Sequence, residues 1–185
     1  MPTFKKCDKA VHELSEAILK KFESHRPLID TICQIDLVFA YCDRDEDTGQ
    51  PLNDALSHGG RKALGVCRVI PLKDRVLGRG DAEISLDGDW WTDASDEQRE
   101  ALLDHEMHHI SIKTSKRVYL FDDLGRPQIK LRKHDVEVGW FACVADRHGA
   151  NSMEQIQARQ IMEEKGQYFW PALVKDAVST KRLNT

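Results

Sequence analysis

The sequence predicts an α+β domain with a small mixed or antiparallel sheet packed on one central helix. Three observations point there. An amphipathic helical pattern opens the chain, several short apolar strand-like runs follow it, and a long breaker-free helical stretch then precedes further helices. With 185 residues and no Pro/Gly/Ser-rich linker or internal repeat, the expectation is one domain over 1–185. Its core should span about 30–150, with 151–185 as a helical C-terminal extension.

From Asp8 to Ser24, Val11, Leu14, Ile18 and Phe22 recur at helical spacing, and Pro27 follows. Ile35 to Tyr41 (IDLVFAY) is apolar and rich in β-branched and aromatic residues, so it reads as a buried strand. The polar stretch Asp43 to Gly60 reads as a surface loop carrying His58. Leu64 to Ile70 and Ala82 to Leu86 are strand-like, with Gly78, Gly80 and Asp81 between them and Asp87-Gly88-Asp89 closing the second. Ser95 with Gln98 forms a capping-box pattern, and Asp96 and Glu97 suit the positive end of a helix dipole. That helix should run to about Ile112. Arg117 to Phe121 and Gln128 to Arg132 are expected to pair as a hairpin around Gly125. Further helices are expected from Asp135 to Arg147, capped by Gly149, and from Asn151 with Glu154 to about Lys165.

Composition narrows the function classes. The net charge of -4 and a pI near 6.1 give no global positive field for nucleic acid. The N-terminus MPTFKKCDKAVHEL has charges where a signal peptide needs an apolar stretch, and no run is long enough to span a bilayer. A cytoplasmic location is the expectation. Cys7, Cys33, Cys42, Cys67 and Cys143 form no CxxC pair, so free thiols are expected and any metal site must use histidine and carboxylate.

Such a set exists. Asp104-His105-Glu106-Met107-His108-His109 contains HExxH. Residues four apart on a helix share a face, so His105 and His109 can grip one ion together. Glu106 then lies beside the open coordination position and can deprotonate water there as general base. Zinc suits these ligands, whereas Mg²⁺ and Ca²⁺ favour oxygen. A catalytic zinc usually takes a third protein ligand. Lys133-His134-Asp135-Val136-Glu137 offers His134 or Glu137, and Asp135 or Glu137 could instead orient an imidazole. Spacing does not choose between them.

ALLDHEMHHISIK, followed by LGRPQIKLRKHDVEVGWF and preceded by GDAEISLDGDWW, resembles the phage metallopeptidases, relatives of the SprT-like zinc proteases. The resemblance covers roughly Ala55 to Gly149 and implies a zincin-like fold and zinc-dependent peptide hydrolysis. It also implies a third ligand in an LRPHD-like motif, which maps onto Leu131-Arg132-Lys133-His134-Asp135 with Lys133 in place of the frequent proline. Glu137-Val138-Gly139-Trp140-Phe141-Ala142 resembles instead the glutamate motif of another HExxH peptidase group. The favoured set is therefore Zn²⁺ on His105, His109 and His134, with Glu106 as base and Glu137 as the alternative ligand.

The other residues carry weaker signals. His108 should point off the shared face as a polar neighbour, and His12 and His25 have no partner pattern. Arg147, His148 and Tyr119 are candidates to stabilise an oxyanion, none distinguished by spacing. Trp90 and Trp91 read as core, and Ala82 to Leu86 as the sheet edge that an extended substrate would join. Lys130, Arg132 and Lys133 read as a solvated face, with a weak DNA contact conceivable because the SprT-like relatives act on DNA-attached proteins. The expected partner is a peptide or protein substrate, without a membrane; the oligomeric state is not readable. The alternative function is a non-catalytic zinc-binding regulatory or host-factor-binding protein of a phage or mobile element. Glu106 argues against it, since a structural site has no use for a base.

Overall fold

A computed structural model describes residues 2–134 and 141–165. Strand β1 (Thr3–Lys6) leads into α1 (Lys9–Lys21), whose first turn is closed by Asp8 accepting from the Val11 amide at 3.1 Å. Val11 and Ile18 turn inward from α1, as their spacing requires. A 3₁₀ turn (Glu23–His25) and α2 (Arg26–Asp30) bring the chain to β2 (Ile35–Tyr41). A short hairpin, β3 (Ser57–His58) and β4 (Arg61–Lys62), precedes β5 (Gly65–Val69). Helix α3 (Leu72–Val76) then connects to β6 (Ala82–Asp87). The Asp87 side chain accepts from the amides of Asp89 and Trp90, ending the strand and starting α4 (Gly88–Asp93). Helix α5 (Asp96–His108) follows. Its Ser95–Gln98 capping box is formed, a feature typically contributing about 1 kcal/mol.

The main sheet has the order β1-β2-β6-β5, parallel between β2 and β6 and antiparallel elsewhere. Register pairs Leu37 with Ile84 and Phe39 with Leu86. These four residues join Val11 and Ile18 of α1 and Leu102, Leu103 and Met107 of α5 in one buried cluster. Trp91 packs there too, its ring 5.8 Å from that of Phe39. On the other face Glu83 is paired by Arg68 at 2.7 Å and by Arg79, which satisfies a buried carboxylate.

After α5 the chain forms β7 (Ile110–Ile112), then the pair β8 (Thr114–Ser115) and β9 (Val118–Tyr119), then β10 (Ile129–Leu131). Helices α6 (Ala142–His148) and α7 (Met153–Lys165) complete the described chain. The result is an α+β domain with a small mixed sheet and seven α-helices among the described residues. None of these helices is long and apolar enough to cross a membrane. All five cysteines are free. Lys130, Arg132 and Lys133 are exposed.

Several expectations need correction. Helix α5 stops at His108, and Ile110–Ile112 is a strand because its carbonyls and amides pair with β10 instead of continuing the helix. The expected hairpin does not form as read: β10 pairs with β7, while β9 pairs with β8. Gly125 does make the turn, at φ 71°, below a single Phe121–Pro127 bridge. Ala82–Asp87 is an inner strand, not an edge, because β5 covers its outer side. Helix α6 starts at Ala142; its expected start at Asp135, like Glu137, falls outside the described residues. Helix α7 is opened by Ser152, whose hydroxyl accepts from the Gln155 amide at 3.1 Å, and not by Asn151.

Candidate metal centre

Residues 101–108 of α5 are all buried, which places this half of the helix inside the molecule. Four of them are ionisable: Asp104, His105, Glu106 and His108. Groups of this kind are stable in an interior only when paired, so their partners define the site.

His105, His109 and His134 each offer a ring nitrogen, all within 4.8 Å of one another. His105 and His109 come from the end of α5, His109 being its C-cap with helical backbone at φ -68° and ψ -24°. His134 follows β10. Two reciprocal hydrogen bonds hold that approach: the Arg132 amide donates to the His109 carbonyl at 2.7 Å, and the His109 Nδ1 donates to the Arg132 carbonyl at 2.8 Å. The His105 Nδ1 donates to Glu154 Oε1 at 2.7 Å. With both Nδ1 positions committed to acceptors, the Nε2 lone pairs of His105 and His109 are left for an ion.

The fit to a cation is direct. Nε2 of His105 and Nε2 of His134 lie 3.2 Å apart. Two ligands on a tetrahedral ion with bonds of about 2.0–2.1 Å are separated by about 3.3 Å. Phe141, fully buried, closes the apolar side, its ring 5.0 Å from those of His105 and His109 and 5.1 Å from that of His134. Glu137, the alternative ligand, lies outside the described residues.

Glu106 lies against β5. A Cβ built on Gly65 would stand 2.5 Å from Glu106 Oε1, so glycine is needed for the strand and the carboxylate to share this space. Burial pushes the Glu106 carboxyl up to about 7; the nearby charge of Glu154 adds to this and His105 opposes it. Among the described residues nothing donates a hydrogen bond to that carboxylate. Burial also pulls the His109 imidazole down to about 4, helped by repulsion from His105, His134 and His58 and opposed by the Arg132 carbonyl. His105 is raised instead: burial acts downward, but the Glu154 hydrogen bond and the Glu106 charge outweigh it.

In a second group, His25, Asp104 and His108, the nitrogen and carboxylate atoms also lie within 4.8 Å of one another. Its carboxylate is already saturated. His25 Nε2 reaches Asp104 Oδ1 at 2.6 Å, His148 Nε2 and Arg147 reach Oδ2 at 3.0 Å, and His108 Nδ1 lies 3.1 Å from Oδ1. The Arg147 cation there disfavours a metal, so this is a buried ion-pair hub. Arg147 and His148 are thereby both bonded to Asp104. His25, 2% exposed, has a partner after all, and His108 belongs to the hub, with its Nε2 3.2 Å from Cys143 Sγ. His58 is exposed on β3, and Tyr119 packs against the main core.

Glu154, Gly65 and the Asp104 hub went unmarked by sequence pattern. Only Asp104 carries a local signal, an acid within the apolar run ALLDHEM and on one helical face with His108. The Glu154–His105 bond spans 49 residues, and nothing local announces it.

A comparison with the curated proteins gives no match, and none is found among the solved structures. A family model described as "Putative phage metallopeptidase" matches residues 4–165, extending well beyond both sides of the motif segment. The chain belongs to the phage metallopeptidase family, whose name implies a metal ion.

Proposed function

We propose that this protein is a zinc-dependent peptidase that holds its ion on His105, His109 and His134 and uses Glu106 as the general base. The observation that carries this reading is the convergence of three imidazoles, with two Nε2 atoms 3.2 Å apart, beside the buried carboxylate of Glu106, which accepts no hydrogen bond among the described residues. Three neutral nitrogen donors suit zinc better than the oxygen-seeking cations. When bound, zinc supplies Lewis acidity, polarising the attacking water and the scissile carbonyl.

The remaining chemistry belongs to the chain. Glu106, titrating near 7, is matched to take a proton from water at neutral pH and to return it to the leaving amine as the peptide bond breaks. Phe141 shields the ligands from one side. Among the described residues β5 pairs on one side only, with β6, so its other edge is the place for an extended peptide backbone beside Glu106.

The test combines metal analysis with hydrolysis of a peptide library followed by mass spectrometry. The Glu106→Gln protein is expected to keep one zinc per chain and to lose about 10²–10⁴-fold in rate. Undiminished hydrolysis with zinc in place would refute the assignment.

A further inference from the structure

We propose that Glu154 is a positioning residue for this centre: its carboxylate fixes His105 with the proton on Nδ1 and Nε2 turned to the ion, so that the docking of α7 governs how tightly metal is held. The proposal rests on the zinc-peptidase reading above and adds a control on that same site.

Glu154 is 1% exposed, in the first turn of α7 beside the buried Met153. Its Oε1 accepts from His105 Nδ1 at 2.7 Å and from the Phe141 amide at 3.4 Å. Its Oε2 is buried and has no hydrogen-bond partner among the described residues. A carboxylate sequestered with one oxygen unpaired is costly, and an apolar residue would stabilise this interior better. What the carboxylate supplies is an anionic acceptor for a metal-facing imidazole.

The contrast with His109 sharpens the point. Its Nδ1 donates to a neutral backbone carbonyl, whereas that of His105 donates to a charge. An anionic partner makes the imidazole a stronger donor to a cation as well as fixing its orientation. Through the Phe141 amide the same oxygen ties in the ring that packs on all three histidines. One carboxylate on α7 thus reaches α5 and the entrance to α6 together.

The experiment measures zinc affinity by competition with a chromophoric chelator for the wild-type chain, Glu154→Gln and Glu154→Leu. Long-range ¹⁵N–¹H spectra of the zinc-loaded proteins report which nitrogen of His105 carries the proton. Gln keeps shape and an acceptor but loses the charge, and is expected to weaken zinc binding by about 10-fold with the Nδ1–H tautomer retained. Leu removes the acceptor and is expected to weaken binding by about 100-fold, with the His105 tautomer no longer fixed. A purely structural role for Glu154 would leave tautomer and affinity unchanged in every variant that folds, and that result overturns the proposal. Should the Leu protein not fold, unchanged affinity in the near-isosteric Gln protein overturns it equally. A wild-type chain binding zinc no better than a His105→Ala/His109→Ala chain would instead sink the zinc-peptidase reading itself.

Discussion

Gly65→Ala is the most economical probe of the Glu106 assignment, because the substitution adds a single methyl group. That carbon would lie 2.5 Å from Oε1, 2.7 Å from Cγ and 2.8 Å from Cδ of Glu106, where ordinary contact begins at 3.4 Å. Gly65 is held in register opposite Leu86 within the antiparallel β5–β6 pair, so the strand resists movement and the side chain must give way. The carboxylate has to retreat by about 0.9 Å, and a misplacement of about 1 Å in a reacting group can cost about 10²-fold in rate. Gly65 does not adopt positive φ, so alanine is compatible with the backbone. Stability should therefore fall by at most about 2–3 kcal/mol: about 0.4–1 kcal/mol gained through the unfolded chain offsets part of an overpacking cost of about 1–3 kcal/mol. The assay is peptide hydrolysis at matched zinc content, with urea unfolding run alongside. A rate about 10²-fold down with zinc and fold intact is expected. A rate within about twofold of wild type would refute the close fit of Glu106 against β5 as a determinant of catalysis.

Two further outcomes follow from the same geometry. Asp104→Asn leaves His25, His148 and Arg147 without their anion and should destabilise the fold by about 3–5 kcal/mol in urea unfolding at pH 7. Burial opposes ionisation of Asp104, but hydrogen bonds from His108, His148 and His25 prevail and hold it far below the usual carboxylate range. Its contribution is therefore complete above the unfolded carboxylate value of about 3.9 and fades as pH falls below it, so the gap between wild type and variant should close in acid; a gap constant from neutral to strongly acidic pH would contradict this. Separately, His134→Ala should lower zinc affinity by more than the about 10–100-fold typical of an outer partner, and by far more than Glu137→Ala. The reverse order in a chelator competition would reassign the third ligand to Glu137.

What could be read from the chain without coordinates was governed by range. Ser95, Gln98, His105, Glu106 and His109 lie within one helix, where spacing maps directly onto geometry, and the capping box formed as its residues required. The end of α5 was misread because Ile110 and Ile112 suit either a helix or a strand, and pairing with β10 decides the matter. Strand order failed for a similar reason. The alternation in Ala82–Asp87 encodes two faces, Ala82, Ile84 and Leu86 against Glu83, Ser85 and Asp87, but says nothing about which neighbours flank the strand. Glu154 looked like a capping residue because an acid in a first helical turn usually is one; its bond to His105 exists only once α7 has docked on α5.

The paired bonds between His109 and Arg132 act as a latch, clipping the start of β7 to the end of β10 two residues before His134. Main-chain bonds thus place the His109 corner of the triangle of nitrogens, while the Glu154 carboxylate holds that of His105. A chelator should consequently strip the centre while the scaffold stays standing, and reloading should proceed without refolding.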